Sequence, residues 1–204
     1  MAEALRGAGI ASLRYDKRGV GASQGTFLAA GMHDNVDDAR AALDALRARP
    51  DVDPGRVFVI GHSEGAILTV ALLAGTAPAA GAVLLSPTAR TGEEVLRWQA
   101  HRVAGDLPAP VRAVLRLLRV DIVAKVSRNH DKLRATGTDT VRLGGVRVNA
   151  RWLREFMAYD PRLDLVRLDV LVLAVGGGKD IQSPPEDLTV IGWLSTRPAP
   201  EPRR

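Results

Sequence analysis

Cysteine is absent from this 204-residue chain, which excludes a disulfide framework and thiolate catalysis and leaves a zinc site only histidine and carboxylate ligands. Aromatic residues make up only 4%, and there is no Cys/His finger spacing or RNA-binding aromatic box. The net charge of +5 therefore reads as an arginine-rich solvated surface, and no nucleic-acid partner is expected. No uninterrupted apolar run approaches the roughly 20 residues that span a bilayer, so no membrane span is expected. Residues 1–6 lack the apolar core of a secretory signal. Cytoplasm is the default location, with secretion left open if the chain begins upstream. Histidine is also rare: His33, His62, His101 and His130.

What is present describes a globular protein, 46% hydrophobic and 25% charged, long enough for one ordinary domain. Four short, nearly continuous apolar runs, at 10–15, 57–61, 82–86 and 170–175, read as parallel strands covered on both faces. Between them, 37–49 places Ala39, Ala42, Leu43 and Leu46 on one helical stripe, with acid at its start and arginine at its end. Residues 66–74 form a second helix, apolar nearly all round and so buried. This alternation predicts an α/β fold with a mostly parallel sheet flanked by helices.

The stretch 91–160 breaks the rhythm and carries the whole charge excess, 13 Lys or Arg against 8 Asp or Glu. Val111, Val114, Leu115 and Leu118 recur at helical spacing, with Arg112, Arg116 and Arg119 on another face. Residues 150–158 form a further amphipathic piece. The expected organisation is a core in two parts, 1–90 and 161–188, a helical cap insertion at 91–160, and an irregular tail at 189–204.

Gly61-His62-Ser63-Glu64-Gly65 fits G-x-S-x-G and lies between a strand and a helix. A nucleophile elbow needs that tight turn, with the serine strained and its hydroxyl exposed. The two glycines allow close backbone approach. Ser63 then stands at the positive end of a helix, and the Glu64 N–H can donate to an oxyanion.

Three stretches together, residues 13–23 (LRYDKRGVGAS), 61–66 (GHSEGA) and 177–182 (GGKDIQ) with Pro184-Pro185, resemble the α/β-hydrolase superfamily. The nearest likeness is to its serine-aminopeptidase-like, dipeptidyl-peptidase-related group. The resemblance implies a partial α/β-hydrolase fold, Ser63 as nucleophile, and Asp180 as the acid that orients a catalytic histidine. It reads the loop 16–19 as structural, shaped by Gly19 and Gly21. It also implies a histidine after Asp180 and an N-terminal strand with a second oxyanion donor, and neither is present. The expectation is a hydrolase cut at both ends, with a vacant slot between the strands at 10–15 and 57–61. The expected substrate is a small-molecule or peptide acyl compound, an ester, thioester or amide, and no metal or organic cofactor is implied. A non-catalytic remnant that binds a ligand or partner is the alternative, a basic nucleic-acid or membrane-surface module using the Arg112, Arg116 and Arg119 face is a third, and self-association is left open by the unfilled strand position.

Overall fold

The computed structural model describes residues 1–75 and 77–196. After a short helix α1 (Ala2–Gly7) and an extended stretch, α2 (Met32–Arg47) begins where the Asp34 carboxylate accepts the Gly31 N–H at 2.9 Å. Three strands follow in the chain, β1 (Phe58–His62), β2 (Gly81–Leu85) and, much later, β5 (Leu171–Val175). They form a parallel sheet of order β1-β2-β5, with His62 level with Leu85 and Leu85 level with Val175. The α/β fold with a parallel sheet is therefore present.

The core lies on one face of that sheet. Helix α3 (Glu64–Ala74) buries Leu68, Leu72 and Leu73 between α2 and the inward residues Ala82 and Leu84 of β2. Its apolar character all round follows from neighbours on nearly every side. Short α8 (Pro161–Leu165) also packs on α3, and α9 (Asp187–Ser195) packs on α8 and β5. Buried Asp187 joins α9 to the loop after β2 by accepting from the Thr88 hydroxyl at 2.7 Å, the Ala89 N–H at 2.9 Å and Arg90 Nε at 2.9 Å. A tail expected to be irregular from 189 is thus helical as far as Ser195. Residues 197–204 of that tail lie outside the described residues.

Two expectations about the sheet fail. Residues 10–15 form no strand, and Ile10, Leu13 and Tyr15 are exposed. A hollow of about 200 Å³, lined by Leu13, Tyr15, Phe58, Ile60, Leu68 and Leu72, lies at the open edge of β1. Without a neighbour to pair with, an extended segment has no ladder to join, and an apolar run alone does not make a strand. Nor is the sheet covered on both faces: Phe58, Ile60, Leu171, Leu173 and Val175 are exposed on the side away from α3.

The stretch 91–160 contains α4 (Gly92–Asp106), α5 (Ala109–Leu117), α6 (Ile122–Ala135) and α7 (Ala150–Ala158). It also holds an antiparallel hairpin, β3 (Thr140–Leu143) and β4 (Val146–Asn149), which the purely helical reading did not include. Gly144 and Gly145, with φ of 58° and 85°, make the two-residue turn. Asn149 fastens this stretch to the segment before α2. Its Nδ2 donates to the Phe27 and Ala30 carbonyls, each at 2.7 Å, and its Oδ1 accepts the Trp152 N–H at 2.9 Å as the cap of α7.

Candidate active site

The bend between β1 and α3 is the sharpest feature of the sheet. Ser63 has φ 53° and ψ −114°, a conformation costly for a residue with a Cβ and held by its surroundings. Its N–H donates to the Leu85 carbonyl at 2.8 Å, so the β1–β2 ladder continues one residue into the turn. Its carbonyl accepts the Ala66 N–H at 3.0 Å, which starts the helix. Gly61 makes the crossing possible, because a Cβ there would overlap the Gly65 carbonyl group. At Gly65 itself an added Cβ would meet nothing, so only the first of the two motif glycines is needed for close approach.

These constraints leave Ser63 half-buried, with a hydroxyl that makes no hydrogen bond among the described residues. The Glu64 N–H is also free there, and it points from the positive end of α3. A vacant donor beside a vacant hydroxyl at a helix N-terminus is suited to a developing oxyanion.

Asp180 lies in the loop after β5, at the same carboxyl edge of the sheet as Ser63, with β2 between their strands. Two strand spacings give a lateral offset of about 10 Å, and the two side chains do not hydrogen-bond each other. Asp180 Oδ1 accepts the N–H groups of Gln182 at 2.8 Å and Ser183 at 3.1 Å. Burial pushes this carboxyl up, but the Gln182 N–H, the Ser86 hydroxyl, the Ser183 N–H and the charge of His62 together hold it below the usual carboxylate range. Ser86 sits directly beyond β2 with φ 49°, and its carbonyl accepts the Ser183 hydroxyl at 2.8 Å. The loop is built to present an ionised acid.

None of the four histidines hydrogen-bonds to Ser63. His62 is exposed, near enough to Asp180 to affect its charge, and its side chain has no hydrogen-bond partner among the described residues. His33 and His101 are exposed, and His130 is buried against α4 with Nδ1 unpartnered, 3.9 Å from Glu93.

The contacts of the Glu64 side chain are a feature of the site that the motif did not reveal. Its carboxylate pairs with Lys17, accepts from Trp152 Nε1 at 3.1 Å, and lies 3.5 Å from Asn35 Nδ2. One residue thereby joins the elbow to the loop 16–19, to α7 and to α2. Arg18 reinforces that loop with two bonds to Asp38, at 2.9 and 2.5 Å. Gly19 and Gly21, at φ 74° and 54°, bring the loop backbone so close that a Cβ would strike Phe27 N at the first and the Asp16 carboxylate at the second. The sequence signal for Glu64 was a charged residue opening an otherwise apolar helix.

Comparisons with known proteins bear on the family and the fold. The chain is 30% identical over 195 residues to esterase EstD of Thermotoga maritima, covering 95% of this chain and 43% of that protein. It therefore spans less than half the length of that relative. Among solved structures, Est1E of Butyrivibrio proteoclasticus with ferulic acid bound matches at a TM-score of 0.65 and 20% identity, covering 95% of this chain and 67% of the other. The α/β hydrolase GrgF from a Penicillium species matches at 0.63 and 17% identity, covering 95% and 70%. The profile of serine aminopeptidase S33 matches residues 1–186, and the chain belongs to that α/β-hydrolase family.

Proposed function

We propose that this chain is a serine hydrolase that acts on an ester, thioester or peptide-like acyl bond, with Ser63 as the nucleophile. The observation that carries the reading is the strained, hydrogen-bond-free serine between β1 and α3, beside the free Glu64 N–H. Ser63 Oγ adds to the acyl carbon, and the Glu64 N–H stabilises the negative oxygen that results. The leaving group departs with a proton, and water then releases the acyl group. Asp180, ionised and fixed by its own loop, is the acid that would orient a base, and no described residue supplies that base. The stretch 91–160 acts as the cap that selects the acyl substrate, joined to the elbow through Trp152 and Glu64. The first relative's name, an esterase, makes a carboxylic ester the first substrate to try.

A second reading has its own observation: no histidine among the described residues reaches Ser63. With the base missing, an elbow of this kind acylates slowly and turns over by several powers of ten less than a full triad, or it only binds an acyl ligand. Hydrolysis of a p-nitrophenyl ester separates the two. Catalysed turnover that disappears in Ser63→Ala and falls in Asp180→Asn supports the hydrolase. Turnover unchanged in Ser63→Ala contradicts it, and binding of the ester without turnover supports the remnant.

A further inference from the structure

Helix α5 stands apart from the rest of the insertion. None of its residues is buried, and Leu115 is its one half-buried side chain. Yet its sequence, APVRAVLRL, separates sharply into faces. At 3.6 residues per turn, Val111, Val114, Leu115 and Leu117 fall within an arc of roughly 160°, while Arg112 and Arg116 lie together on the flank. Leu118 closes the helix, and Arg119 follows it in a left-handed turn with φ 53°. The apolar side is open to solvent, with Val114 54%, Leu117 83% and Leu118 64% exposed.

The arginines of 91–160 divide into two groups, and those of this helix fall, with Arg128, Arg142, Arg147 and Arg154, among the ones without an ion pair among the described residues. Arg97 and Arg134 pair with Glu93, Arg151 with Asp34 and Glu155, and Arg162 with Glu94 and Asp160. Arg112, Arg116 and Arg119 have no ion pair among the described residues. The flanking acids are engaged elsewhere: Asp106 faces Arg102 at 3.8 Å, and Asp121 caps α6 by accepting the Ala124 N–H at 2.9 Å. Three cations without an ion pair among the described residues, Arg112 donating only to the Gly105 carbonyl at 3.4 Å, therefore border an aliphatic strip that no described residue covers.

The geometry points to an anionic lipid surface as the partner of this helix, with the leucines seated at the acyl boundary and the arginines among the headgroups. The alternatives fit less well. A nucleic acid would meet the positive charge but has no use for a strip of Val and Leu, and the helix offers no aromatic ring for stacking. A second copy could cover the apolar strip, but α5 contains no acid, so its arginines would face like charges. The surface docks the chain without spanning anything, since no described helix is long and apolar enough to cross a membrane.

The test is co-sedimentation of the whole chain with vesicles of phosphatidylcholine alone or mixed with phosphatidylserine. Binding is expected only with phosphatidylserine. Each arginine lost should weaken it about fivefold, so that Arg112→Gln/Arg116→Gln/Arg119→Gln loses about a hundredfold. Leu117→Asp/Leu118→Asp should lose binding at a salt concentration where the unaltered chain still holds. Neither leucine is packed in the fold, so unchanged circular dichroism and melting are expected in that variant. Four results would overturn the inference. The first is failure to sediment with phosphatidylserine vesicles, and the second is equal sedimentation of the leucine variant. The third is a concentration-dependent dimer in lipid-free solution that the leucine variant abolishes, which assigns the strip to a second copy. Heparin binding as strong as vesicle binding, and untouched by the leucine variant, would likewise reassign the arginines to a polyanion.

Discussion

A Cβ at position 61 would enter the Gly65 carbonyl, while the same atom at position 65 would enter open space. The two glycines of the motif are therefore unequal. Gly61→Ala must displace backbone, and a loss of roughly 1–3 kcal/mol or more is expected in urea unfolding. Gly65 lies in the first turn of α3, where alanine is the better helix former, so Gly65→Ala should be neutral or stabilising by up to about 1 kcal/mol. Equal losses for both would show that the elbow does not close as described. Glu64 permits a second comparison. Glu64→Ala strands the Trp152 indole N–H and leaves Lys17 without its carboxylate, a cost of about 1–3 kcal/mol by the same measurement, whereas Glu64→Gln keeps an acceptor for the indole and loses less. Ser63 stood out because G-x-S-x-G between a strand and a helix is a local pattern, whereas Asp180, in a loop that reads by itself as a turn, was marked only by the family resemblance. The partners of Glu64 were not, since Lys17 and Trp152 are 47 and 88 positions away along the chain.

Among the elements, helices were easier to read than strands. The stripes at 37–49 and 150–158 recur as α2 and α7, because an amphipathic period is written into the segment itself. The run at 10–15 had the composition of a strand but no partner in the sheet, and pairing is a property of two segments. Helix α9 was missed because what anchors its start, Asp187, is held by Thr88, Ala89 and Arg90 from a distant loop. The join between the stretch 91–160 and the segment before α2 rests on Asn149, which spans two carbonyls and caps α7. Asn149→Ala should cost about 2–4 kcal/mol in unfolding, more than an exposed cap of the same type. Between α4 and α6, burial pulls the pKa of His130 below its ordinary value of 6.5, the Glu93 charge opposes this, and Arg97 and Arg134 add to it. The unfolded chain thus takes up this proton more readily than the folded one. Stability should fall as the pH drops below about 6.5, and His130→Phe should flatten that slope in melting measured across pH.

At the scale of the whole molecule, one side of a three-stranded parallel sheet is packed and the other is open. Helices α3, α8 and α9 support the packed side, while Phe58, Ile60, Leu171, Leu173 and Val175 stand in solvent on the other. The sequence could not distinguish the two faces, because all three strands are apolar on both sides. The proposed chemistry depends on less than this full architecture. It needs the end of β1, the start of α3 and the loop after β5, all of which are tied to β2: Ser63 N–H bonds Leu85, and Ser183 bonds Ser86. We propose that the bend at Ser63 makes its hydroxyl reactive, and mass-spectrometric mapping of fluorophosphonate adducts measures that property directly. One adduct, on Ser63, formed faster than on the unfolded chain and lost in Ser63→Ala, is the predicted result. An intact chain that stays unlabelled, or an adduct mapped to another serine, would contradict it.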